Sequence, residues 1–170
     1  MSDKVDKVLT RISVNGVVHE RWIEPRQHLV DYLRDEIGLK GTRTGCEQGV
    51  CGACAVRIDG ETVRGCLTLA VQADGAVVET IEGVSDSGAI GDLQHAFLEH
   101  NALQCGFCTA GMLLTADDLL KAVPGANREQ IRAHMSGNYC RCSGYHAIVD
   151  AVETTRETRR LAIRSGERNE

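Results

Sequence analysis

The sequence predicts an α+β fold in two small units, a mixed sheet with a helix across it followed by a bundle of short helices. Three observations predict it. Two strand pairs turn at Asn15-Gly16 and Asp59-Gly60; apolar periodicity becomes helical after a Gly/Ser/Asp-rich stretch; and eight cysteines fall into two groups on either side of that stretch. A chain of 170 residues, 42% hydrophobic, suffices for two such units with their own cores.

The first unit is assigned to residues 1–84. "LTRISVNGVVHERWIE" alternates apolar and polar residues around Asn15-Gly16, a dipeptide that accepts the positive φ of a tight hairpin turn. "HLVDYLRDEIGL" places Leu29, Leu33 and Ile37 four apart, with Gly38 positioned to end the helix. A second hairpin, "ACAVRIDGETVRGC", turns at Asp59-Gly60, and "AVVETIE" supplies another strand. The composition of "GVSDSGAIGD" (83–92) predicts a connecting loop.

The second unit is assigned to residues 85–170. "GDLQHAFLEHN" and "AGMLLTADDLLKAV" carry helical spacing, the second stopping at Pro124-Gly125. Asn127 is placed to cap "REQIRAHMS", which Gly137 ends, and a fourth helix runs from about His146 through Leu161 into the polar tail "RSGERNE".

Charge and composition exclude several roles. The net charge is −5 with no basic block, which argues against nucleic acid as a partner. "MSDKVDKVLTRISVNG" lacks a signal-peptide core, and no apolar run has membrane-spanning length, so a cytoplasmic protein is expected. In a reducing compartment, eight cysteines favour metal ligation over disulfides.

In "GCEQGVCGAC" three cysteines, Cys46, Cys51 and Cys54, are spaced by four and then two residues, and Cys66 follows at a distance. This is the plant-type [2Fe-2S] spacing; zinc ribbons more often use two separated Cys-x-x-Cys pairs. The cluster is anionic, so backbone N–H groups must approach its sulfurs, and Gly45, Gly49 and Gly52 suit a loop of that kind. In the second group, Cys105 and Cys108 form a Cys-x-x-Cys within a helical region, and Cys140 and Cys142 lie in "GNYCRCSGY", with Gly137 and Gly144 available for bends. Spacing alone leaves zinc and [2Fe-2S] equally open here. The first cluster favours a second redox centre, since two in series make an electron path. Arg141, between two thiols, reads equally as a counter-charge and as a solvated side chain, and Trp22 and Tyr32 read as core or interface.

The stretches "LVDYLRDEIGLKGTRTGCEQGVCGACAVRIDG", "CLTLAVQADGAVVETIEG", "LQCGFCTAGML" and "SGNYCRCSGYHAIVDAV" together resemble the iron-sulfur subunit of molybdenum hydroxylases, the xanthine dehydrogenase and aldehyde oxidase family. The resemblance implies an N-terminal β-grasp [2Fe-2S] ferredoxin-like domain and a C-terminal four-helix-bundle [2Fe-2S] domain. It implies that Cys46, Cys51, Cys54 and Cys66 hold the cluster nearer FAD, and that Cys105, Cys108, Cys140 and Cys142 hold the one nearer a molybdenum-pterin cofactor. Gln104 and Cys142 match the positions that contact the pterin. Ala110, Tyr139 and Ser143 depart from the usual family reading, and none is a ligand position.

By the same resemblance the chain is one of three, with a medium FAD subunit and a large molybdenum-cofactor subunit, assembled as a dimer of heterotrimers. No flavin fingerprint and no nucleophile-base pair is evident in the sequence, so catalysis is expected on a partner. A free-standing two-cluster ferredoxin and a zinc-stabilised interaction module are the competing readings.

Overall fold

The computed structural model describes residues 6–166. Strands β1 (Val8–Val14) and β2 (Val17–Ile23) form the first hairpin, with Asn15 and Gly16 at φ of 49° and 80°. Strands β3 (Ala55–Ile58) and β4 (Glu61–Arg64) form the second, with Asp59 and Gly60 at 50° and 90°. Both turns have two successive left-handed residues, whose twist matches that of the strands they join. Strand β5 (Val77–Glu79) enters between the hairpins, parallel to β1 and antiparallel to β3, giving the order β2-β1-β5-β3-β4. This mixed sheet is the β-grasp arrangement the resemblance implies. Ile12, Val14, Ile23, Val56 and Val78 pack with Leu29, Tyr32 and Leu33 from the crossing helix. Trp22, by contrast, is 63% exposed and lies outside this core.

The crossing helix starts as α1 (Leu29–Asp31) and widens into a π-helical turn over Tyr32–Glu36, where the Ile37 N–H donates to the Tyr32 carbonyl at 3.1 Å. The wider turn brings Tyr32 into the core beside Leu33 and leaves Ile37 half-buried, so the expected four-residue stripe does not hold to its end. Gly38 then ends the helix at φ 88°.

A helix, α2 (Ile81–Asp86), takes the end of the predicted strand "AVVETIE" (76–82) and the start of the expected loop (83–92), and buries Val84. Six residues are too few to show a period, and burial of one valine decides the conformation. Helices α3 (Gly91–Glu99), α4 (Thr109–Ala122), α5 (Arg128–Met135) and α6 (His146–Gly166) follow as expected, except that α6 runs past Leu161 into the predicted tail. Residues 167–170 of that tail lie outside the described residues. Asn127 caps α5 reciprocally with Gln130: its side chain accepts from the Gln130 N–H, and Gln130 accepts from the Asn127 N–H. Gly137 does not take the left-handed conformation expected of a helix stop; α5 closes through Ser136, and the Gly137 N–H donates to the His134 carbonyl.

The helical core gathers Leu93, Phe97, Met112, Leu114, Ile131, Met135, Ile148 and Val152, each worth about 1.5–3 kcal/mol when fully buried. Ala55 of β3 joins the same cluster, so the sheet and the bundle are packed together. An ion network crosses the seam. Arg57 of β3 donates to fully buried Asp117 of α4 at 2.8 Å and to Asp118; Arg159 of α6 reaches Asp117 at 3.0 Å and Asp92 of α3 at 2.7 Å. Burial opposes the charge on Asp117, but hydrogen bonds from Lys121, Arg57 and Arg159 prevail and hold its carboxyl below the ordinary range. Among the described residues no helix is long and apolar enough to cross a membrane.

Candidate metal centres

The first thiol loop is closed at its base by the Arg43 N–H donating to the Ala53 carbonyl at 3.1 Å. Cys66 arrives from the end of the second hairpin because the Gly65 N–H donates to the Cys54 carbonyl at 3.0 Å. Within the loop the Cys51 N–H donates to Cys46 Sγ at 3.4 Å. Amide donation from Gln48 and Cys51 pulls the Cys46 thiol down to about 6. Burial pushes Cys54 up to about 11 and raises Cys51 as well.

The three loop glycines serve in two ways. Gly49 and Gly52 take φ of 81° and 73°, as a loop with inward-facing amides requires. Gly45 does not. Its need is space: a Cβ there would lie 3.1 Å from Cys51 Sγ and 3.4 Å from the Phe107 ring.

The second set is built by two loops, each leading into a helix. Cys105 and Cys108 precede α4, and Cys140 and Cys142 lie in the turn before α6. Gly106, Gly144 and Tyr145 are left-handed at 77°, 64° and 69°. Cys105 and Cys142 bring their sulfurs to 3.6 Å. Ser143 donates to Cys140 Sγ twice, from its hydroxyl at 3.2 Å and its N–H at 3.4 Å. Burial disfavours a Cys140 thiolate, yet the Ser143 donors outweigh it and lower the thiol below its ordinary value. Burial pushes Cys108 up to about 12, and the neighbouring Cys105 thiol raises Cys142. Exposed Gln104 donates from Nε2 to the Cys142 carbonyl at 3.2 Å, which brings together the two residues assigned to the pterin. Arg141 is exposed. His95 and His100 pair with Glu99 and Thr154.

All eight cysteines are free thiols. The Cys51 N–H donates to Cys46 Sγ, Cys54 and Cys66 pack in one buried cluster, Cys105 and Cys142 bring their sulfurs to 3.6 Å, and Cys140 packs against the core cluster that contains Cys108. Among the described residues no three such donors converge tightly enough to hold one metal ion. Structural zinc needs four donors about one point, whereas a two-iron cluster held by four cysteines takes two thiolates per iron. The four free thiols of each set match the four-cysteine ligation of a [2Fe-2S] cluster. Four buried hydroxyls, those of Tyr32, Thr42, Thr44 and Thr109, have no partner among the described residues, and two of these residues flank thiols in the chain, Thr44 two residues before Cys46 and Thr109 next to Cys108.

Sequence reasoning missed Tyr145 and Asn138. The Tyr145 hydroxyl accepts from the Cys140 N–H at 3.0 Å and donates to the Asn138 carbonyl at 2.9 Å, bracing the turn that carries Cys140. The Tyr139 N–H donates to the Cys51 carbonyl at 2.8 Å, which ties the two thiol loops to each other. Nothing in residue type signals these contacts, since Asn and Tyr near glycines read as ordinary turn residues.

Two family models match in succession, a 2Fe-2S iron-sulfur cluster binding domain over residues 12–79 and a [2Fe-2S] binding domain over residues 80–153. The chain is 50% identical over 147 residues to the nicotine 6-hydroxylase small subunit of Paenarthrobacter nicotinovorans, covering 86% of this chain and 88% of that one. It is 47% identical over 154 residues to the caffeine dehydrogenase subunit gamma of Pseudomonas sp. (strain CBB1), covering 89% and 92%. Among solved structures, quinoline 2-oxidoreductase from Pseudomonas putida 86 aligns with a TM-score of 0.84 at 49% identity, covering 92% of this chain and 98% of that chain. The aldehyde oxidoreductase from Desulfovibrio gigas aligns at 0.81 and 39%, covering 91% of this chain and 17% of that much longer one.

Proposed function

The chain belongs to the iron-sulfur subunits of the molybdenum hydroxylases, the xanthine dehydrogenase and aldehyde oxidase family, and we propose that it carries electrons from a molybdenum-pterin cofactor on one partner to FAD on another. It is a non-catalytic subunit of an oxidoreductase with two [2Fe-2S]-binding domains. When bound, the two clusters supply reversible one-electron chemistry.

The single observation that carries this reading is the gathering of the eight free thiols into two sets of four, joined by the Tyr139 to Cys51 bond. In this assignment Cys46, Cys51, Cys54 and Cys66 of residues 1–84 hold the cluster nearer FAD. Cys105, Cys108, Cys140 and Cys142 of residues 85–170 hold the cluster nearer molybdenum, with Gln104 and Cys142 facing the pterin. Backbone amides at Cys46 and the Ser143 donors at Cys140 stabilise negative charge on sulfur and so favour reduction. The seam between sheet and bundle holds the two sets in one frame. The partners are a large molybdenum-cofactor subunit and a medium FAD subunit in a dimer of heterotrimers, placed in the cytoplasm.

Visible absorption and low-temperature EPR of the reduced complex test the assignment. Two distinct [2Fe-2S] signals are expected. A colourless protein with zinc in four-sulfur sites would overturn it, and a chain that purifies alone and reduces without partners would recast it as a free ferredoxin.

A further inference from the structure

We propose that Asn138 is a positioning residue that sets the spacing of the two thiol loops and thereby the electronic contact between the centres they hold. The inference rests on the electron-relay reading above. Asn138 is 1% exposed and uses its amide on three sides. Its Oδ1 accepts from the Arg64 guanidinium at 3.1 Å, from β4, and from Thr115 Oγ1 at 3.3 Å, on α4; its Nδ2 donates to the Gly52 carbonyl at 3.4 Å, in the first thiol loop. Arg64 also donates to the Gly137 carbonyl at 2.8 Å, one residue earlier. A single side chain thus touches the first loop, the second hairpin and the helix that follows Cys108, and it sits two residues from Cys140.

The surrounding backbone has closed around it. A Cβ on Gly52 would lie 2.3 Å from Asn138 Oδ1, and one on Gly111 would lie 2.3 Å from the Gly52 carbonyl oxygen and 3.1 Å from Asn138 Nδ2. The two glycines let the loop and α4 approach until a planar amide fills the gap. A buried amide with donor and acceptor both engaged has one low-energy placement, so it fixes distance as well as cohesion. The Tyr139 N–H bond to the Cys51 carbonyl lies directly beside it in the chain and depends on the same spacing.

The test uses the full chain purified with its partners, anaerobically reduced, with EPR as the readout. In the wild type the two reduced clusters are expected to split each other's signals by through-space spin coupling, which falls as the inverse cube of their separation. Asn138→Ala should leave both signals present and weaken their mutual splitting. Asn138→Asp, which keeps the acceptor contacts to Arg64 and Thr115 but turns a carboxylate oxygen against the Gly52 carbonyl, should also weaken it. Unchanged splitting in both variants would overturn the proposal while leaving the relay intact. Loss of a cluster in both would also overturn it, because Asn138 would then serve assembly rather than spacing. Absence of [2Fe-2S] signals in the wild type would instead remove the relay reading.

Discussion

The two thiol sets are served by different parts of the chain. At the first, the donor to Cys46 sulfur is a backbone amide, and the loop's own glycines set its direction. At the second, the shortest donor to sulfur is a side chain, the Ser143 hydroxyl on Cys140. An amide survives almost any substitution at its residue, whereas a hydroxyl does not. The first set is therefore tuned by backbone conformation, whereas the second adds to its backbone donor, the Ser143 N–H, a hydroxyl that a single side-chain change removes.

Cys142→Ser breaks the comparison most severely. It should abolish the second cluster's EPR signal and leave the first cluster's signal intact, and simultaneous loss of both would show that the sets do not assemble separately. Asp117→Asn asks how far they are separate mechanically. It removes the carboxylate shared by Arg57, Lys121 and Arg159 and should cost about 3 kcal/mol in urea unfolding, the low end for a broken buried pair because Asp118 and Asp92 remain. An unchanged midpoint and slope would show that the seam bears no load.

The same network gives a pH dependence. Asp117 and Asp92, the latter through its Arg159 bond, titrate below their ordinary values in the folded protein, so the unfolded chain binds more protons in acid. Their stabilisation is complete above the ordinary carboxylate value of about 3.9 and is lost as pH falls through the lower folded values. Asp117→Asn should flatten the acid limb of a stability-versus-pH curve.

Ser143→Ala sharpens the comparison with the smallest effect. Removing one donor worth about 1 kcal/mol should lower the second cluster's one-electron midpoint by roughly 40 mV and leave the first unmoved. A shift in the first cluster, or none in either, would argue against side-chain tuning.

Much of this was legible in the sequence because the signals were local. Asn15-Gly16 and Asp59-Gly60 each name their turn, and Cys46, Cys51 and Cys54 lie within one short loop. The grouping of Cys105 and Cys108 with Cys140 and Cys142 was also legible, since few other thiols remained. What stayed hidden were contacts between distant segments. Arg57, Asp117 and Asn138 carry no local signal in the sequence, and each acquires its role only when the sheet meets the bundle. Helix α2 was hidden for a related reason: Val84 is held by packing rather than by any periodic pattern.

Arg57 has one more consequence, for modularity. The two family domains meet at residues 79 and 80 and look like beads that could be exchanged between chains. A first bead cut loose there would carry a guanidinium stripped of both its aspartates and an Arg64 stripped of its Asn138 acceptor. A borrowed second bead would have to supply two carboxylates and an amide at matching positions. The two domains interlock as one part, and domain-swapped chimeras should be chosen with Arg57, Asp117, Asp118 and Asn138 kept from the same parent.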